Sequence, residues 1–126
     1  MRVFVIAGEP SGDRLGGAAM AGLRALRPDV AFEGIGGEAM AAEGLRSLFP
    51  MSELSVMGLV EVLPRLPALL RRRDEAVEAV VEARPDLLLT IDSPDFCLRV
   101  AKGVRARAPG VRVVHYVAPT VWAWRE

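Results

Sequence analysis

The sequence predicts a three-layer α/β/α domain built on a mostly parallel sheet. Three observations carry that expectation. Apolar runs of strand length recur at residues 3–7, 30–35, 87–91 and 111–117. Stretches with helical spacing lie between them. The joints carry breakers: Arg27-Pro28-Asp29, Arg84-Pro85-Asp86 and Pro109-Gly110. Strands that alternate with helices pair in parallel, and the helices cross over the two faces of the sheet.

Residues 2–13 organise the rest. Residues 3–7 form an unbroken apolar run with β-branched side chains, the pattern of a strand buried on both faces. Gly8 ends it, and Glu9-Pro10-Ser11-Gly12-Asp13 reads as a small polar turn. Residues 14–26 then show helical spacing, with Leu15, Met20, Leu23 and Leu26 on one side. Strand, glycine turn and helix open a Rossmann-like βαβ unit, whose free N–H groups at the helix start suit an anionic or hydroxyl-rich ligand. The spacing is neither that of a dinucleotide fingerprint nor that of a Walker loop. Glu9, Ser11 and Asp13 crowd one strand end, and a carboxylate there suits sugar hydroxyls better than pyrophosphate. The plainer alternative is that the glycines only make a tight turn.

Composition narrows the field. The 126 residues are 52% hydrophobic and 25% charged, enough for one soluble α/β core and one domain at most. A formal net charge of zero removes the broad electrostatic footprint of a nucleic-acid binder. With one cysteine and one histidine, neither an internal disulfide nor a metal-ligand cluster is expected, and no cofactor. Cys97 reads as a small buried apolar residue. The opening apolar run is too short for a signal peptide and no stretch spans a bilayer, so the cytoplasm is the expected compartment.

The second strand runs into Gly34-Ile35-Gly36-Gly37, another glycine-rich strand end. Residues 38–43 read as a short helix closed by Gly44, and residues 45–49 as a short edge strand. Residues 54–70 are dense in apolar side chains but interrupted by Gly58, Pro64 and Pro67. A broken helical segment is expected, with Pro67 near the start of a longer helix to about residue 83. Leu70, Val77, Val80 and Val81 give that helix a core stripe. Arg71, Arg72 and Arg73 sit against the helix dipole, so something other than helix stability favours them. Val60, Leu63, Leu66, Leu69 and Leu70 with Arg71 and Arg72 form a candidate membrane or acyl patch. Core packing or a dimer face is the plainer alternative.

Asp92 is the main candidate for chemistry. It follows the run 87–91 and should emerge where that strand meets the crevice, as a general base or as a helix N-cap. Asp95 reads as a first-turn residue of a helix running from about Ser93 to 107, with Pro94 early in it. His115 lies within the last strand, as a hydrogen-bonded core residue or a catalytic one. Trp122 and Trp124 share a side if extended. They line an acyl or sugar surface, or pack against a part of the protein not present.

Five motifs stand in order: Gly8-Glu9-x-Ser11-Gly12-Asp13, Gly34-Ile35-Gly36-Gly37-x-x-Met40, residues 53–63, Ile91-Asp92-x-Pro94-Asp95-Phe96, and His115-Tyr116-Val117-x-Pro119-x-Val121-Trp122-Ala123-Trp124. Together the chain resembles the N-terminal third of the lipid-A-disaccharide synthase family. The resemblance implies a GT-B glycosyltransferase that joins UDP-2,3-diacylglucosamine to 2,3-diacylglucosamine 1-phosphate, releasing UDP and forming the β(1→6) disaccharide 1-phosphate. It implies Asp92 as the base, with Gly8, Glu9, Ser11, Gly12, Asp13, Gly36 and Gly37 lining the substrate cleft. It also implies work at the inner face of the cytoplasmic membrane, where the apolar patch meets lipid. Residues 1–126 would then be the acceptor-side domain, with the nucleotide-sugar-binding C-terminal domain absent and the isolated chain inactive. Pro10, Glu38, Ala39, Ala118 and Thr120 depart from the family's usual residues.

Two other classes stay in view: a stand-alone flavodoxin-like nucleotide-binding module and a non-catalytic lipid-associating fragment. The oligomeric state is open, a homo-oligomer included. The sugar-transfer reading requires the strand tips at Glu9 and Asp92 to meet at one rim.

Overall fold

Four strands pair in the order β2-β1-β3-β4, every pair parallel, in a computed structural model that describes residues 1–55 and 62–117. They are β1 (Arg2–Ala7), β2 (Ala31–Ile35), β3 (Leu87–Ile91) and β4 (Arg112–Tyr116). The helices are α1 (Pro10–Leu26), α2 (Glu38–Ala42), α3 (Ser52–Ser55), α4 (Val62–Ala83) and α5 (Pro94–Arg107). β1 is central, and Val3, Phe4, Val5, Ile6 and Ala7 are all buried. Burying such side chains contributes about 1.5–3 kcal/mol each for the larger ones. The chain steps outward from β1 to β2, then back across β1 to β3. Right-handed crossovers put the helices of those two opposite steps on opposite faces, giving the expected α/β/α layers.

α1 begins at Pro10, four residues before the expected start at Arg14. Proline at the first helical position loses no intrahelical bond, and Asp13 in the first turn suits the dipole. Ser11, Gly12 and Asp13 are therefore helical rather than part of a loose turn. Small residues let α1 lie close to its neighbours: a Cβ on Gly17 would come within 3.0 Å of the Ala39 carbonyl oxygen.

α2 closes as anticipated. Gly44 has φ +97°, its N–H bonds to the Ala41 carbonyl, and the Leu45 N–H bonds to the Met40 carbonyl. The edge strand expected at 45–49 does not form. Ser47 makes a single parallel bridge to Gly34, while Leu45 and Phe49 are buried as loop residues. Their apolar side chains anchor a loop to the core instead of pairing in the sheet.

α4 starts at Val62, so Pro67 lies inside the helix rather than near its start. Its buried stripe is Leu69, Ala76, Val77 and Val80: Val77 and Val80 are core as expected, while Leu69 and Ala76 take the places expected of Leu70 and Val81, which are only partly covered. α5 packs along α4, with Gly103 against the Val77 side chain. β4 closes the described sheet; Val114, Tyr116 and Val117 are exposed on it or just beyond.

Candidate functional site

Parallel register brings the predicted site residues to one edge. Ala7 pairs with Ile91, so the chain leaves β1 into Gly8-Glu9 and leaves β3 into Asp92-Ser93 side by side. The contact is close: a Cβ on Gly8 would meet Ser93 Oγ at 2.5 Å and Ser93 Cβ at 3.0 Å. Glu9 is exposed at the N-cap position of α1, with no side-chain capping bond. The two strand tips at Glu9 and Asp92 therefore share a rim.

Asp92 and Ser93 are the strained point of that rim. Their φ values are +47° and +41°, two successive non-glycine residues in the left-handed region. Such a conformation costs about 1–2 kcal/mol per residue and persists only where its surroundings impose it. The Asp92 N–H bond to the Tyr116 carbonyl (2.9 Å) and the Cys97 N–H bond to the Ser93 carbonyl (3.0 Å) hold it here. The N-cap position belongs to Ser93, not Asp92. Asp92 is half-buried. Beneath it Cys97 is fully buried, and desolvation pushes its thiol up to about 12, reinforced by the Asp92 charge and opposed by the Ile91 backbone hydrogen bond.

One strand over, a cleft of about 770 Å³ opens between the start of α1 and the segment after β2, lined by Pro10, Asp13, Arg14, Gly36, Gly37 and Met51, among others. Asp13 shapes it from beneath. Its buried carboxylate accepts the Gly37 N–H at 2.8 Å and the Met40 N–H at 3.0 Å on Oδ1, and the Ala39 N–H at 2.9 Å on Oδ2. The orphan donors at the start of α2 are thus met from α1, because the N-cap residue Gly37 has no side chain to offer. Asp13, expected to meet substrate, spends its oxygens on the backbone. Ser11 stands exposed on the first turn of α1, and Gly12 is buried beside Ile91 and Ala7.

Arg14 and Ser52 line the same cleft and were not singled out from the sequence. Arg14 follows Asp13 within the first turns of a helix aimed at the strand edge, the one sequence signal for it.

The apolar patch divides. Val60 and the side chains of Leu63 and Leu66 lie outside the described residues. Leu69 is core, 4% exposed, which corrects its assignment to a lipid-facing surface. Leu70 is partly covered and Arg71 exposed. Arg72 is held by Glu53 and Glu75 rather than presented outward. Trp122 and Trp124 also lie outside the described residues. His115 Nδ1 is 2.7 Å from Thr90 Oγ1, its neighbour in the β3–β4 register, while Nε2 is buried without a partner. The hydrogen-bonded core role is the one this geometry fits. Among the described residues no cluster of His, Cys, Asp or Glu could hold a metal, and no helix is long and apolar enough to cross a membrane.

An open parallel α/β sheet with acidic and glycine-bearing tips at its carboxyl edge defines a Rossmann-like domain. Comparison with known proteins narrows this. The family model described as lipid-A-disaccharide synthetase matches residues 3–126, and the chain belongs to that family. It is 66% identical over 125 residues to lipid-A-disaccharide synthase of Ruegeria pomeroyi, covering 99% of this chain and 31% of that protein. Its identity to the synthase of Rhodospirillum centenum is 56%, over 98% of this chain and 31% of the relative. For the Pseudomonas aeruginosa synthase it is 57%, over 100% and 33%. The chain spans about a third of the length of these curated relatives.

Proposed function

We propose that this chain is the acceptor-side domain of a lipid-A-disaccharide synthase, an inverting glycosyltransferase. Its substrates are UDP-2,3-diacylglucosamine and 2,3-diacylglucosamine 1-phosphate, and its products the β(1→6) disaccharide 1-phosphate and UDP. The observation that carries the reading is the strained pair Asp92–Ser93 at the carboxyl end of β3, beside Gly8 and Glu9. Strain retained at a strand tip holds a side chain where packing alone would not put it. Asp92 takes the proton from the acceptor's 6-hydroxyl as that oxygen attacks the sugar carbon; the bond to UDP breaks on the opposite face. Glu9 and Ser11 meet sugar hydroxyls, and the Gly36–Gly37 backbone borders the cleft that admits the acceptor. Stabilising the departing diphosphate falls to residues beyond this third of the enzyme.

Both substrates carry acyl chains, so the protein works on the inner face of the cytoplasmic membrane. Leu70 and Arg71 belong to the part that meets lipid, with Leu54 and Leu69 supporting it from the core.

The test is Asp92→Asn in a full-length synthase carrying this sequence. Turnover is expected to fall by about 10²-fold or more while acceptor binding is retained. Full turnover in that variant would remove Asp92 from the base role. The 126-residue chain alone, given both lipids, is expected to form no disaccharide above a protein-free control.

A further inference from the structure

We propose that Arg72 is a positioning residue for the rim that carries Asp92, acting through α3 and the aromatic pair Phe49–Phe96. The proposal rests on the reading of Asp92 above for its catalytic consequence, and on geometry alone for its structural one.

Arg72 ties together elements that have little else in common. From α4, Arg72 Nε donates to Glu53 Oε1 and Nη2 to Glu53 Oε2, both at 2.8 Å, a two-pronged grip on α3. Its Nη1 donates to both oxygens of Glu75 at 3.0 Å, which fixes the guanidinium from its own helix. The same guanidinium lies 4.6 Å from the centroid of the Phe49 ring. Phe49 in turn meets Phe96 edge to face, 6.5 Å between centroids. Phe96 belongs to the first turn of α5, three residues after Ser93.

The grip reaches the rim by two routes. A helix of four residues has no stability of its own, so α3 stays where tertiary ties hold it. Leu54, beside Glu53, is buried, and a Cβ on Gly8 would lie 3.7 Å from Leu54 Cβ. Leu54 thus covers the place where Gly8 touches Ser93. Phe49 and Phe96, both buried, brace the α5 turn from the other side. The strained turn at Asp92–Ser93 needs such bracing; Arg72 sits in the middle of α4, beyond the reach of the helix's amino end, so these partners and not the dipole account for its place. Lysine would keep the charge but lose the fork and the flat face that serve Glu53 and Phe49 together.

Amide hydrogen exchange on the chain reads this directly. The Glu53 and Leu54 N–H groups bond to Pro50 and Met51 carbonyls and report α3; the Cys97 N–H bonds to the Ser93 carbonyl and reports the rim. In Arg72→Met all three are expected to exchange about tenfold faster or more, with α1 amides within about twofold of the parent. Arg72→Lys is expected to resemble Arg72→Met, and Glu53→Gln, at a partly exposed site that leaves the core intact, to move the same amides. Acceleration of the α3 amides with Cys97 unchanged would overturn the proposal, as would uniform acceleration along the chain, which marks a general stability role. In a full-length synthase, Arg72→Lys is expected to lower kcat about tenfold with KM within about threefold; unchanged kcat would overturn the catalytic consequence. A parent enzyme that forms no disaccharide would sink the function proposed above and leave the exchange result standing.

Discussion

The Asp13 carboxylate accepts the Gly37 N–H at 2.8 Å, joining the helix that follows β1 to the turn that follows β2. A side chain that looks from sequence like a ligand for substrate is a strut between two glycine-bearing strand ends. The strut can be measured. Asp13→Ala leaves three N–H groups without their acceptor and is expected to cost about 3 kcal/mol, seen as a lower urea midpoint with an unchanged slope. Asp13→Asn turns an NH2 toward one of those donors and is expected to cost about half as much. Parent-like stability in Asp13→Ala would refute the strut.

The rim should behave as one unit. Gly8→Ala drives a methyl into Ser93 and is expected to destabilise the chain by about 1–3 kcal/mol. Ser93→Gly removes the obstructing side chain and tolerates φ +41°, so adding it to Gly8→Ala is expected to restore most of the loss. A thermodynamic cycle across the four proteins checks this, and simple additivity would mean that the two turns are independent.

Gly34 has φ +151°, and a Cβ there would lie 1.8 Å from the Val5 carbonyl oxygen. No side-chain rotation relieves a clash with backbone. Gly34→Ala is expected to leave no cooperative thermal transition by circular dichroism.

Cys97 provides a chemical probe. With its thiol buried and held near 12, it is expected to resist iodoacetamide at about pH 8 in the folded chain and to react readily in denaturant. Mass spectrometry of the two reactions decides it; equal rates would show that the site beneath Asp92 is open.

Acid should loosen one tie between α4 and α5. Arg107 donates to Glu78 at 2.6 Å and holds its carboxyl below the ordinary 4.5. A lowered folded-state value means that the contribution is complete above 4.5 and fades as pH falls through the folded value. Both groups are about half exposed, so the effect is small and weakened by salt. Glu78→Gln is expected to lower the urea midpoint slightly at about pH 7, and the gap to the parent is expected to close as pH falls through the lowered folded-state value of Glu78. A gap that persists in acid would point to packing instead of charge.

Much of this was legible in the residues. The four strands, the Gly44 helix stop and the emergence of Asp92 from β3 follow from apolar runs that end in glycine or aspartate. The early start of α1 is hidden because Pro-Ser-Gly reads as a turn, although proline also suits a first helical position. From the sequence Arg72 looks like a membrane cation, because its partners Glu53 and Phe49 lie on other elements and no local pattern links them. The strain at Asp92–Ser93 is set by the tertiary fit of β3, β4 and α5 and leaves no mark on composition.

β4 has one further consequence. Among the described residues its outer edge carries no neighbouring strand, and Val114 and Tyr116 project from the same face without cover. An edge with no neighbouring strand among the described residues, beside apolar side chains, is a template on which another copy can be laid down. Concentrated preparations of this chain will therefore tend toward stacked assemblies along β4, the strand whose Tyr116 carbonyl accepts the Asp92 N–H.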